Sequence, residues 1–99
     1  MVFIDCIVYN KGKLFSGTFE LNQGDKDIIS YVEKGFLKTQ KTYKNQVLIM
    51  EKKFSDCTNG YQKVFDINGK IKSEGLFYNN KRKGLWKNYS KDSLYFIKY

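Results

Sequence analysis

In a chain of 99 residues, chemistry starts from the side chains able to move a proton, hold a metal or attack a bond. Histidine is absent, and with it the side chain whose ordinary pKa suits general acid–base work near neutrality. Cys6 and Cys57 are the only cysteines, and two isolated thiols without histidine cannot make the usual Cys/His zinc site. A nucleophilic Cys57 would need an activating base, and the nearest in sequence are Lys52, Lys53 and Lys63. Cys57 is expected as a surface thiol in a loop, and Cys6, set in an apolar run, as a small core hydrophobe. A Cys6–Cys57 disulfide is the alternative. Asp25 and Asp27 form a candidate carboxylate pair, but their setting reads as a solvated turn. The glycines fall at hairpin spacing and none opens a phosphate-binding loop before a helix. The expectation is no catalytic residue, no metal and no cofactor.

The remaining chemistry is charge. Eighteen Lys+Arg against ten Asp+Glu leave a net +8, and residues 63–99 hold nine of the basic groups but only three acidic ones. The triplet Lys81-Arg82-Lys83, with Lys70, Lys72, Lys87 and Lys91 nearby, has Phe77, Tyr78, Trp86 and Tyr89 interleaved. Such a pattern suits an anionic partner: the acidic face of a protein, or the phosphates of a phospholipid surface or of nucleic acid. A blander cause competes, because 17 of the 18 basic residues are Lys in a chain rich in A/T-codon residues, and lysines at a hairpin tip also keep a sheet soluble.

These side chains must be positioned by strands. Proline is absent, 17% of residues are aromatic, no ten-residue stretch reads as strongly helical, and β-formers are spread evenly along the chain. Turn chemistry recurs at Asn10-Lys11-Gly12, Asn22-Gln23-Gly24-Asp25, Glu33-Lys34-Gly35, Lys44-Asn45-Gln46, Asn59-Gly60, Asn68-Gly69, Asn79-Asn80 and Lys91-Asp92. The strands between them are expected at about 2–9, 13–20, 28–33, 36–43, 47–54, 61–66, 70–78, 84–89 and 94–99. The fold class is therefore all-β: one domain over 1–99, an antiparallel meander of about nine strands. Along 70–78, Ile71, Ser73, Gly75 and Phe77 should face one way, and Lys70, Lys72, Glu74 and Tyr78 the other. An internal repeat supports this order: Gly35, Leu37, Lys38, Tyr43 and Asn45 recur as Gly69, Ile71, Lys72, Phe77 and Asn79 at an offset of 34.

The segment Gly69-Lys-x-Lys-Ser-Glu-Gly75-x-Phe77-x-Asn79, followed by Lys83-Gly84-Leu85-Trp86-x-x-Tyr89, resembles the MORN-repeat variant of bacterial antitoxin and immunity-type proteins. The likeness is strongest over 65–89, weaker over 9–19 and 29–45, and poor over 46–59. It implies an elongated, twisted sheet of stacked hairpins without an enzymatic site. Gly12, Gly35, Gly60, Gly69, Gly75 and Gly84 would be turn or packing positions, and Trp86 a packing aromatic.

The expected function is a non-catalytic protein-binding module, an antitoxin, immunity or inhibitor protein that occludes a target such as a toxin or nuclease. The alternative is a peripheral module that binds anionic phospholipid or nucleic acid. In either case Lys70, Lys72, Lys81, Arg82, Lys83, Trp86, Lys87, Tyr95 and Tyr99 are the candidate binding residues. The terminal segment Leu94–Tyr99 is apolar with a single charge, so it should be covered, by homodimerisation through an edge strand or by a partner's strand. The apolar strand Val47–Phe54 is the second candidate surface. No apolar run of about 18 residues could span a bilayer. Met1–Asn10 lacks the features of a secretory signal, so the chain is expected to be cytoplasmic or a trimmed mature form.

Overall fold

The computed structural model describes residues 2–4 and 6–99. Among them there is no helix, and the strands follow the expected hairpin order. Three short strands, β1 (Val2–Ile4), β2 (Ile7–Asn10) and β3 (Lys13–Leu14), form a small sheet in the order β1-β2-β3. The other eight are β4 (Gly17–Gln23), β5 (Lys26–Glu33), β6 (Phe36–Lys44), β7 (Val47–Phe54), β8 (Gly60–Phe65), β9 (Ile71–Tyr78), β10 (Lys81–Ser90) and β11 (Ser93–Lys98). Each is hydrogen-bonded to its sequence neighbour, giving one open antiparallel meander from β4 to β11. The molecule measures 50 × 30 × 19 Å, the proportions of a single sheet with side chains on both faces.

The N-terminal expectation needs correction. The strand expected over 2–9 is interrupted around Cys6, whose φ of 66° turns the chain back into β2. The strand expected over 13–20 stops after Leu14 and restarts at Gly17. Both breaks have a long-range cause. The backbone of the small sheet is tied to the β5–β6 turn: Val8 N–H donates to the Gly35 carbonyl (2.8 Å), Gly35 N–H to the Phe15 carbonyl (2.7 Å), and Phe15 N–H to the Val8 carbonyl (3.0 Å). Cys6 is exposed and disulfide-bonded to Cys57 in the β7–β8 loop, so neither the core-hydrophobe reading of Cys6 nor the free-thiol reading of Cys57 holds.

A sheet with no second layer has little to bury. The buried apolar side chains are Val8, Val32, Phe77 and Trp86, joined by the polar Ser30, Gln62, Ser73 and Asn88. Strand register puts all of these except Val8, which belongs to the small sheet, on one face of the large sheet. Ser30 pairs with Gln40, Gln40 with Lys52, Lys52 with Gln62 and Gln62 with Gly75, while Val64, Ser73 and Asn88 form a parallel row. Three of the polar members find partners, as burial requires: Gln40 Nε2 donates to Ser30 Oγ (3.1 Å), Gln62 Nε2 to Met50 Sδ (3.1 Å) and Asn88 Nδ2 to the Trp86 carbonyl (3.2 Å). In β9 the burial alternates as the sequence anticipates, with Ser73, Gly75 and Phe77 inside and Lys72, Leu76 and Tyr78 outside.

The largest buried group depends on a missing side chain. Trp86 lies flat against Gly75, where an added Cβ would stand 2.5 Å from its ring. The register between β9 and β10 shifts between Lys83 and Lys87, so Gly84, Leu85 and Trp86 together oppose Gly75. Gly84 makes this bulge with a φ of 74°, a conformation that costs other residues more. Trp86 Nε1 then donates to the Leu76 carbonyl (2.8 Å).

Two measurements check these supports. Replacing Gly75 with Val should destabilise the fold by roughly 1 to 3 kcal/mol through overpacking against Trp86, read by urea unfolding, and an unchanged midpoint would contradict the packing described. Reducing the disulfide, which spans 51 residues of sequence, should lower stability by about 4 kcal/mol on the chain-entropy account. Identical unfolding curves with and without reductant would show that the bridge adds nothing.

Candidate functional site

The C-terminal hairpins hold most of the expected binding residues, and the strand pleat sorts them onto two faces. On the packed face, Arg82 lies across Trp86, its guanidinium 4.2 Å from the ring centroid, and Nη1 donates to the Tyr99 hydroxyl (2.9 Å). Tyr99 meets Trp86 edge-on at 6.0 Å, so the Arg82 cation stands between two aromatic rings. Trp86 is fully buried, which removes it from the expected partner anchors. The arginine covers it and Gly75 backs it. Tyr95 and Tyr99 are about half exposed on the same face. Nearby, burial lowers the pKa of Lys52, whose Nζ sits 5.2 Å from the Phe77 ring centroid.

The opposite face collects the lysines. Register aligns Lys53 with Tyr61, Tyr61 with Leu76 and Leu76 with Lys83 in one row, and Lys63 with Glu74 and Glu74 with Lys87 in the next. Lys72, Lys81 and Lys98 share this face by alternation. Lys83 Nζ rests 4.5 Å from the Tyr78 ring centroid. The ion pairs found among the described residues, Lys41–Glu51 and Lys44–Asp25, involve none of these cations. Between the lysines lie exposed apolar groups: Leu76, Tyr78, Leu85 and Phe96 are each half or more exposed. An open depression of about 530 Å³ has Lys53, Tyr61, Leu76, Tyr78 and Lys83 among its lining residues. Lys70 stands apart in the β8–β9 turn, where its N–H donates to Asp66 Oδ1 (3.0 Å).

One acid anchors the basic face, and composition gave no sign of it. Tyr61 Oη donates to Glu74 Oε1 and Tyr89 Oη to Glu74 Oε2 (3.0 Å). The Tyr61 hydrogen bond holds the Glu74 carboxyl below its ordinary pKa, with help from Tyr89 and from the charges of Lys63 and Lys87 and against the effect of burial. Burial, and then the Glu74 carboxylate, push the Tyr61 phenol up to about 12. Tyr89 is raised mainly by its bond to Glu74. The only sequence clue was the pairing order, which brings 61, 74 and 89 together once the turns are placed.

The remaining candidates resolve as follows. Asp25 pairs with Lys44 (3.4 Å) and Asp27 Oδ1 accepts from Asn22 Nδ2 (2.9 Å), so both serve the β4–β5 hairpin and its neighbour. Val47–Phe54 is central, laddered to β6 and β8, and half-buried along most of its length, so it is not an open surface. In the β7–β8 loop, Asp56 Oδ1 accepts the N–H groups of Thr58 (3.0 Å) and Asn59 (2.9 Å), and Oδ2 accepts Asn59 Nδ2 (2.7 Å). The bond from the Thr58 backbone and the Asn59 side chain lower the Asp56 pKa in turn. Compared with protein-family models, curated proteins and solved structures, the chain finds no match.

The Tyr61–Glu74–Tyr89 cluster predicts the pH limits of stability. A carboxyl lowered on folding stabilises above its unfolded pKa of about 4.3, and that contribution disappears as pH falls through the lower folded value. A phenol raised on folding stabilises fully below about 10, and that contribution is lost as pH climbs towards 12. In Glu74→Gln, tyrosine absorbance near 295 nm should show the Tyr89 phenol moving down towards about 10 and the Tyr61 phenol moving down less, because burial still raises it, and the acid limb of the unfolding curve should flatten. An unchanged tyrosine titration would remove Glu74 as the cause.

Proposed function

We propose that this chain is a non-catalytic protein-binding module of the antitoxin, immunity or inhibitor kind, acting by covering a surface of its target. The observation that carries this reading is the lysine-rich face of β8–β11, where cations outnumber the one acid, Glu74, and surround exposed Leu76, Tyr78, Leu85 and Phe96. An apolar centre with a charged rim is the anatomy of a protein interface, and its sign calls for an acidic target surface. The cations would speed and orient the encounter, and the apolar groups would hold the complex. The likeness of residues 65–89 to the MORN-repeat variant supports the same assignment.

A phosphate-bearing partner, phospholipid or nucleic acid, is the second reading, favoured by Lys83 lying over Tyr78, the arrangement in which cation and ring meet a base or a headgroup together. The disulfide bears on the compartment. Such bridges persist where the environment is oxidising, so Cys6–Cys57 supports an oxidising compartment over the cytoplasmic location. No helix among the described residues is long and apolar enough to cross a membrane.

The test is binding of the wild type and of a Lys81→Glu/Lys83→Glu variant to proteins of the producing cell's surroundings, to anionic vesicles and to a single-stranded oligonucleotide, over a salt series. The expected result is a defined protein target whose complex persists at high salt and whose affinity drops about tenfold or more in the variant, mostly through slower association. Binding only to vesicles or oligonucleotide, and steeply lost with salt, would transfer the assignment to the second reading. A protein target bound equally well by the variant would overturn the lysine face as the binding surface, and binding of none of the three probes would overturn both readings.

A further inference from the structure

β11 is the last strand of the open sheet, and its side chains are exposed throughout. It packs against β10 alone. The pairing with β10 runs without a register shift from Ser90↔Ser93 to Leu85↔Lys98, and Tyr99 N–H donates to the Gly84 carbonyl (3.0 Å). Antiparallel backbone groups alternate between the two sides of a strand. With Tyr99 bonded inward, Ile97, Tyr95 and Ser93 also point their N–H and C=O groups to β10, and those of Leu94, Phe96 and Lys98 point outward, open to a new strand. The usual defences of an edge are proline, a bulge and repeated charges. β11 has neither of the first two, and Lys98 is its single charge.

We propose that β11 pairs antiparallel with β11 of a second copy of this chain, making a two-fold dimer with a continuous sheet. A two-fold pairing must be self-complementary, and centring it on Phe96 satisfies that demand. The outward groups of Phe96 then meet those of its symmetry mate, and Leu94 meets Lys98 of the second copy. On the other face Tyr95 falls opposite Ile97. No two like charges stand directly opposite, and exposed aromatic and aliphatic side chains cover one another on both faces, the kind of cross-strand pair that stabilises sheets. The other free edge offers a poorer surface: β4 carries Thr18, Glu20, Asn22 and Gln23. A β4-to-β11 contact would be heterologous and would grow without closing. A strand-sized contact is small beside a standard interface, so the dimer should be of modest affinity. Because each copy carries +8, added salt should strengthen it, whereas binding to an acidic target should weaken with salt.

The experiment is sedimentation of the full chain from about 10 μM to about 1 mM, at low and high salt, with three variants. Wild type should pass from monomer to dimer, at lower concentration in high salt. Phe96→Lys, which puts like charges on the axis, should stay monomeric with an unchanged far-ultraviolet spectrum. Phe96→Cys should cross-link with itself on mild oxidation, since facing Cα atoms would be about 5.5 Å apart. Leu94→Cys, displaced about 13 Å from its own mate along the strands, should not. A wild type monomeric throughout, open-ended assembly in place of a dimer, capture of an added β-strand peptide by a monomeric chain, or equal cross-linking of the two cysteine variants would each overturn the proposal. Phe96 also belongs to the lysine face, so target binding is read separately through Lys81→Glu/Lys83→Glu, whose substitutions lie outside β11.

Discussion

The structure depends on Trp86 lying flat on Gly75. A single sheet has no opposing layer to bury its apolar face, so it must use its own surface, setting a large ring where a neighbouring strand carries no side chain. Everything around the ring follows from that contact. The bulge at Gly84 brings Trp86 into place, the Leu76 carbonyl receives its N–H, and Arg82 with Tyr99 shields it from solvent. A second close approach lies at Gly60, where Phe54 and Phe77 come from the two strands that flank it in register and their rings meet edge-on at 5.4 Å. At Gly60 an added Cβ would collide with the Lys53 carbonyl.

The two faces consequently do different work. The packed face consumes its one arginine internally, as a lid over an indole, and gives its Gln62 and Asn88 amides the Met50 sulfur and the Trp86 carbonyl, and its Ser30 hydroxyl the Gln40 amide. The opposite face keeps its cations for solvent, and its only anchor among the central C-terminal strands is the Glu74 carboxylate held by two phenols. Placing an acid between Lys63 and Lys87, with both oxygens already engaged by phenols, lowers the repulsion among these lysines and their neighbours.

What the sequence disclosed was local. Hairpin turns at Asn45-Gln46, Asn79-Asn80 and Lys34-Gly35 sit where positive φ values occur, because Asn and Gly announce that backbone chemistry by themselves. The alternation in β9 was readable for the same reason. What escaped was long-range. The chain around Cys6 gives no turn signal, since a sulfur 51 residues away and the backbone of Gly35 are what reshape it. Arg82 and Lys83 look equivalent as neighbours in a basic triplet, yet adjacency on a strand guarantees opposite faces, and only the structure shows that one face was already occupied by Trp86. Glu74 was hidden differently: its partners Tyr61 and Tyr89 lie on the two strands beside its own, and composition cannot register such a meeting.

The β7–β8 loop has one more consequence, and it is mechanical. Cys57 holds Cys6 through sulfur, and with its next two residues the same loop grips the β9–β10 turn: the Thr58 carbonyl receives the Asn80 N–H (2.9 Å) and Asn59 Oδ1 the Asn79 N–H (3.1 Å). A pull applied at the N-terminus therefore bypasses β2 to β7. It travels through the bridge and arrives at the foot of the lysine hairpin, while the strands in between lie within a covalent loop and carry no tension. Under load the molecule should behave as a short tether of its C-terminal strands, with half of its length mechanically silent until the sulfur bond is cut.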